Sequence, residues 1–308
     1  MRNILMAWLN ACRPRTLPLA CICILVGSSL ALATGTFSWP VLLLSLLTAI
    51  LLQVLSNLAN DYGDGLRGVD NRQRLGPVRA LQSGALSATQ LRLSLFATAT
   101  LALLCGAALL AVARLDASDL LAFMLLGLLA VAAAITYTLG SKPYGYAGLG
   151  DLAVWIFFGC TGVLGCYYLH GAQLQASLLL PASACGLLAV SVLNVNNMRD
   201  IDNDQSFGKR TLAVRLGLPA AKLYNQLLLT VALLSFVLYL LLHSPSLQWP
   251  LLLFVVATVP VYRHLRAIHQ AATPAQMARL LPGVIGCNAA VNGLFVATLL
   301  FVSNHSGV

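Results

Sequence analysis

Two short strings carry most of the acidic side chains in this sequence: Asn57-Leu-Ala-Asn60-Asp61-Tyr-Gly-Asp64 and Asn196-Asn197-Met-Arg199-Asp200-Ile-Asp202-Asn203-Asp204. On a helix, positions 57, 61 and 64 are related by i+4 and i+7, so one amide and two carboxylates share a face. Asn196, Asp200 and Asp204 follow one another by i+4 and make a second such stripe, with Asp202 pointing elsewhere. Four carboxylates brought together would repel strongly in surroundings less polarisable than water, so something positive belongs between them. Oxygen donors with no His or Cys nearby favour a hard cation. Few protein ligands per ion suits Mg²⁺, which completes its shell with water and a substrate's phosphates.

Formal charge supports a diphosphate. Four Asp, two Mg²⁺ and a trianionic diphosphate ester leave a deficit of about three charges, which cations of the protein would balance. The loops next to the clusters supply Arg67, Arg72, Arg74 and Arg79, then Lys142, then Arg199, Lys209 and Arg210. Helix capping accounts poorly for both clusters, because Asn and Asp cap helix N-termini and these strings sit at C-terminal ends of apolar segments. No GxxxxGK[ST] or GxGxxG string occurs, so a nucleotide-type phosphate loop is excluded.

The elements that must position these residues are membrane helices. Of 308 residues, 59% are hydrophobic and 9% charged, with mean hydropathy +0.85, which rules out an ordinary soluble domain. Nine apolar stretches are candidate spans: 16–34, 39–60, 93–113, 120–139, 152–169, 176–198, 223–242, 247–262 and 280–302. They are apolar all round without alternation, which excludes a transmembrane barrel. The expected fold is an all-α polytopic membrane protein with nine transmembrane helices around a central cavity.

Every Lys and Arg except Arg114 falls on one set of alternating loops and span ends, which predicts a cytoplasmic N-terminus and puts both acidic clusters on the cytoplasmic side. The net charge of +9 is therefore a topology signal, and its spread over several short regions argues against nucleic acid as a partner. Eight Cys occur with no CxxC, and they read as small packing residues. Asp116 and Asp119 read as helix-start charges on the outer side. The run from residue 55 to 95 parallels the run from 193 to 229 four spans later, so we expect one domain over 1–308: two four-helix halves and a ninth helix.

The paired Asn/Asp motifs on the second and sixth of nine helices resemble the UbiA superfamily of intramembrane prenyltransferases. Within it, Arg13-Pro-Arg-Thr-Leu-Pro-Leu, the string from Asn57 to Asp64, Ile135-Thr-Tyr-Thr138, Pro143-Tyr-Gly-Tyr-Ala-Gly-Leu-Gly-Asp151 and Arg199-Asp200 are similar to the branch that prenylates 1,4-dihydroxy-2-naphthoate in menaquinone synthesis. The resemblance implies one Mg²⁺ on Asp61 and Asp64 assisted by Asn57, and a second on Asp200 and Asp204 with Asn196 alongside. Many superfamily members space the first pair as Asp-xxx-Asp, where this sequence has Asp61-xx-Asp64.

The resemblance implies that a polyprenyl diphosphate loses its diphosphate and that the allylic cation is attacked by the carboxylate-bearing carbon of the naphthoate, with loss of carbon dioxide. The product would be demethylmenaquinol, made at the cytoplasmic face of a bacterial inner membrane. Arg72, Arg74, Lys142, Arg199 and Lys209 are the expected diphosphate binders. Tyr137, Tyr144, Tyr146, Trp155 and Arg13 are candidates to line the cation and acceptor site. Asp64, Asp151 or Lys142 could orient or deprotonate the acceptor hydroxyl. Segments 61–90 and 199–219 read as lids, the first with glycines at 63, 65, 68, 76 and 84. Two competing readings are a prenyltransferase for another aromatic acceptor such as 4-hydroxybenzoate and a secondary transporter, whose acids would be expected near mid-membrane.

Overall fold

The computed structural model describes residues 2–71, 75–113, 115–243 and 248–305. Among them the regular structure is entirely helical. Arg72, Arg74 and Arg114 lie outside the described residues.

A short helix α1, Arg2–Cys12, precedes the long helices α2 (Leu17–Ala33), α3 (Trp39–Leu66), α4 (Ala88–Ala113), α5 (Ala117–Thr136) and α6 (Gly150–Leu169). Helix α7 (Leu179–Arg199) is followed by the short α8 (Ile201–Ser206), then α9 (Leu212–His243), α10 (Gln248–Gln270) and α11 (Pro274–His305). Eight of these runs are long and apolar enough to cross a membrane among the described residues. The expected eighth span is present as helix α10 but is not among those eight. Arg263, His264, Arg266 and His269 fall on its last turns, and the sequence count of nine stands at eight by this measure.

Helix α7 is the hub. Most of it is buried, and small residues let it approach its neighbours. A Cβ on Gly159 of α6 would come within 3.1 Å of Gly186 Cα on α7. Gly162 similarly has Cys23 against it, with Sγ 3.0 Å from where a Cβ would be. Helix α6 is π-helical over Trp155–Gly165, the widened form that recurs beside functional cavities. Helix α5 has no buried residue and covers one side of the molecule loosely. Asp116 caps it, accepting from the Asp119 N–H at 2.8 Å, as a helix-start acid should. All eight Cys are free.

Two sequence expectations change. The apolar run of the second span ends at residue 60, but α3 continues unbroken to Leu66 and carries Asp61 and Asp64 on helix. Two of the glycines that suggest a lid there are packing residues: a Cβ on Gly63 would meet Thr138 at 2.8 Å, and one on Gly65 would meet Leu81 at 2.6 Å. Conversely, the second acidic stripe is not one helix. Helix α7 stops at Arg199, Asp200 leaves helical geometry at φ −97° and ψ 11°, and α8 restarts at Ile201.

Candidate active site

The acidic clusters meet. Lys209 Nζ lies 3.4 Å from Asp64 Oδ2 and 3.6 Å from Asp204 Oδ1, so one ammonium joins side chains 140 positions apart in sequence. The chain brings Lys209 there by ending α8 on Gly208 at φ 69°, a left-handed turn that folds the next residue back so that its N–H donates to Asp204 O at 2.8 Å. Burial works against the Lys209 charge, but Asp64 and Asp204 on either side more than reverse that and raise its pKa above the ordinary lysine value.

Asp64 has a second partner. Tyr146 Oη donates to Asp64 Oδ1 at 2.8 Å, and Arg67 and Lys209 stand 5.0 Å and 5.5 Å from the centroid of the Tyr146 ring. Burial first, then the Asp64 charge, raises the Tyr146 phenol above its ordinary range, so it stays a donor. Arg67 itself donates to Thr138 O and Gly140 O, which makes it a clamp on the loop after α5.

Asp61 is 1% exposed and held by two arginines. Arg13 Nη2 donates to Asp61 Oδ1 at 2.5 Å, and Arg79 Nε is 3.5 Å from the same oxygen and 3.8 Å from Asp70 Oδ1. Arg13 is the non-glycine residue with positive φ among those described, at 49° and just before Pro14, a strained turn that aims its guanidinium at Asp61. Asn57 supports that turn from both sides: its Nδ2 donates to Cys12 O at 2.9 Å and to Thr16 Oγ1 at 3.1 Å. Its Oδ1 accepts from Gln53 Nε2 at 3.2 Å. At the second cluster Asp200 is gripped in bidentate fashion by its neighbour Arg199, with Nε to Oδ1 at 2.8 Å.

These groups rim a cavity of about 650 Å³ whose wall continues downward between α2, α3, α4, α5, α6 and α7 over apolar side chains. Arg13, Asn57, Asp64, Arg79, Asn196, Asp200, Asp204 and Lys209 line it, as do Tyr137 and Tyr144. The two tyrosine rings meet edge-on at 5.3 Å, and Tyr144 Oη donates to Ala133 O at 2.9 Å. Asp61 and Trp155 do not line the cavity; Asp61 is screened by Arg13 and Arg79.

Lys142 does not reach the cavity. It is exposed and outside the cavity lining, because the chain reverses at Gly140, φ 101°, and leaves Lys142 at the loop tip; Lys209 stands where a cation was expected from it. Arg210 is exposed as well, and its backbone N–H donates to Tyr146 O. Asp151 is buried and bonded by Tyr224, apart from the cavity lining. Sequence reasoning gave no role to Asp70, Asn71 or Asn203. No spacing rule marks them, since their partners come from other segments.

The sequence profile described as the UbiA prenyltransferase family matches residues 20–301. The chain belongs to the UbiA prenyltransferase family. This UbiA chain is 45% identical over 297 residues to the 1,4-dihydroxy-2-naphthoate octaprenyltransferase of Escherichia coli (strain K12), covering 96% of this chain and 94% of that protein. It is 43% identical to the enzyme of the same name from Haemophilus influenzae (strain ATCC 51907 / DSM 11121 / KW20 / Rd), covering 95% of each. A UbiA homologue from Archaeoglobus fulgidus, solved bound to GPP and Mg²⁺, has the same fold, with a TM-score of 0.64 at 18% identity over 97% of this chain and 99% of that one.

The rim suits a divalent ion of one kind. Among the described residues no three His, Cys, Asp or Glu side chains gather closely enough to hold a metal alone. Asp64 and Asp204 converge on a single cation, with Asp200 on the same rim. Such a donor set fits Mg²⁺ held by one or two carboxylates per ion, its other positions filled by diphosphate oxygens and water.

Proposed function

We propose that this protein transfers a polyprenyl group from polyprenyl diphosphate to 1,4-dihydroxy-2-naphthoate, releasing diphosphate and carbon dioxide and giving demethylmenaquinol. The observation that carries this reading is the junction of Asp64 and Asp204 at Lys209, on the rim of a deep apolar cavity. The names of the full-length relatives supply the acceptor. Two Mg²⁺, when bound with the diphosphate, would neutralise charge growing on the leaving oxygens.

Asp64, Asp200 and Asp204 on the rim are the ligands we assign to those ions, and Asp61 joins Asp64 when the diphosphate takes over Arg13 and Arg79, which otherwise screen it. Asn196, half-buried on the cavity wall, stands beside the second pair. Asn57 we assign to holding the Arg13 turn, since its amide is bonded on both ends. Lys209, Arg13 and Arg79 line the cavity and bind the diphosphate, joined by Arg199, which holds Asp200, and by Arg72 and Arg74, which lie outside the described residues. Pre-positioned cations of this kind stabilise a leaving anion without reorganising. Tyr137 and Tyr144 present ring faces and edges to the allylic cation, and the apolar wall keeps water from it. Carbon dioxide loss restores aromaticity in the product, so no strong protein base is needed.

The chain is one domain of two four-helix halves and a ninth helix, in a bacterial cytoplasmic membrane with the acidic rim toward the cytoplasm. Purified protein in nanodiscs, given polyprenyl diphosphate, 1,4-dihydroxy-2-naphthoate and MgCl₂, is expected to release equal amounts of diphosphate, carbon dioxide and prenylated naphthoquinol. Turnover with 4-hydroxybenzoate but not the naphthoate would overturn the acceptor assignment. Counterflow of substrate without diphosphate release would overturn the enzyme reading in favour of transport.

A further inference from the structure

We propose that Asn203 is a positioning residue that fixes the spacing between the two acidic clusters, by clasping the segment that carries Asp70. Asn203 sits on α8, one residue before Asp204, and its side chain turns away from its own cluster. Its Nδ2 donates to Val69 O at 3.0 Å, and its Oδ1 accepts from Asn71 Nδ2 at 2.9 Å. A single amide thus grips both neighbours of Asp70, from a point more than 130 positions along the chain.

The gripped segment is anchored at the other end to the first cluster. Gly68, at φ 72°, turns the chain back on the end of α3, where the Val69 N–H donates to Asp64 O at 3.0 Å. Asp70, 7% exposed, lies 3.8 Å from Arg79 Nε, and the same nitrogen is 3.5 Å from Asp61. Two routes therefore lead from Asn203 to the first pair of carboxylates: one through backbone to Asp64, one through Asp70 and Arg79 to Asp61. Lys209 joins the clusters through one ammonium, hydrogen-bonded to Asp64 at 3.4 Å and paired with Asp204 at 3.6 Å, and a freely rotating head on a flexible stem holds their distance more than their angle. The reciprocal amide contact is directional and sets the register of α8 against the end of α3.

Groups that orient metal ligands without touching the metal commonly change metal affinity by about ten- to a hundredfold when removed. This inference rests on the Mg²⁺ and diphosphate reading above. Its test is the rise in melting temperature of the full-length protein on adding MgCl₂ with inorganic diphosphate, alongside the Mg²⁺ dependence of prenyl transfer. Asn203→Ala and the volume-keeping Asn203→Leu are expected to need about tenfold more Mg²⁺ for half the thermal shift and half-maximal rate, with the melting temperature in EDTA changed little. Asn71→Ala is expected to shift the midpoint less, and Asn71→Ala with Asn203→Ala no further than Asn203→Ala alone, because they share one bond. Asn203 variants that melt lower but titrate with Mg²⁺ like the parent would overturn the proposal and leave a purely structural contact. A parent protein that does not respond to Mg²⁺ with diphosphate would overturn the diphosphate reading itself, and the clasp with it.

Discussion

The two acidic clusters carry similar residues and are held in different ways. Asp200 takes its cation from the adjacent residue, Arg199, so that part of the second cluster is assembled as soon as the chain forms the break between α7 and α8. Asp61 takes its cations from Arg13 and Arg79, 48 positions before and 18 after it, and Asp64 takes Tyr146 and Lys209 from farther still. The first cluster is thus a meeting point of four segments and exists only when the whole helical assembly is in place. The second has close neighbours in sequence, Arg199 and Lys209, among its partners and is tied into that assembly through Lys209 and Asn203. The sensitivity of the site to substitution should follow the same asymmetry.

The largest effect is expected where the clusters meet. Asp64→Ala or Asp204→Ala should lower the rate of prenyl transfer at saturating Mg²⁺ by at least about 10²–10³-fold, the scale seen when one preorganised charge-stabilising group is lost. Equal losses for both would show the clusters acting as one site; a tenfold or smaller loss for either would confine the chemistry to the other. Next is Lys209→Met, which leaves half-buried Asp64 and buried Asp204 without the ammonium they share. Breaking such a pair costs about 3 kcal/mol, so its melting temperature in EDTA should drop by several degrees. Addition of MgCl₂ with diphosphate should restore much of that loss, and failure to do so would argue against a metal taking the place of the ammonium.

Arg13→Lys separates the remote clamp from the local one. It keeps the charge and loses the guanidinium fork, and lysine is no substitute where planar geometry matters. We expect a loss of about tenfold in kcat/KM for the prenyl donor, roughly 1.4 kcal/mol of transition-state stabilisation. Kinetics unchanged by Arg13→Lys would show that charge alone suffices at Asp61. The smallest effect is expected from Lys142→Ala. Its exposed position at a loop tip predicts a rate within about twofold of the parent, as for most surface substitutions away from a site. A hundredfold loss would mean that this loop folds over the cavity during turnover.

The class of fold was legible because its signal is local: apolar runs of about twenty residues need no partner to be recognised. So was the conjunction of Asp64 with the second cluster, since the repeat puts both clusters at the same end of equivalent helices, although the break at Asp200 was not. What was not legible came from chain reversals and helix ends. Lys142 and Lys209 look alike in sequence, both basic and both near a motif, and only the turns at Gly140 and Gly208 decide which one reaches the carboxylates. Gly63 and Gly65 looked like lid residues and are contact points, which composition cannot distinguish. Asp70 and Asn203 gave no signal because each is defined by a partner on another segment.

Binding of Mn²⁺ in place of Mg²⁺, followed by electron paramagnetic resonance with inorganic diphosphate present, tests the shared site most directly. The parent protein is expected to bind two Mn²⁺ per chain, with Asp64→Ala and Asp204→Ala each losing one. Tight binding of two ions that neither substitution disturbs would place the metals elsewhere and contradict the account.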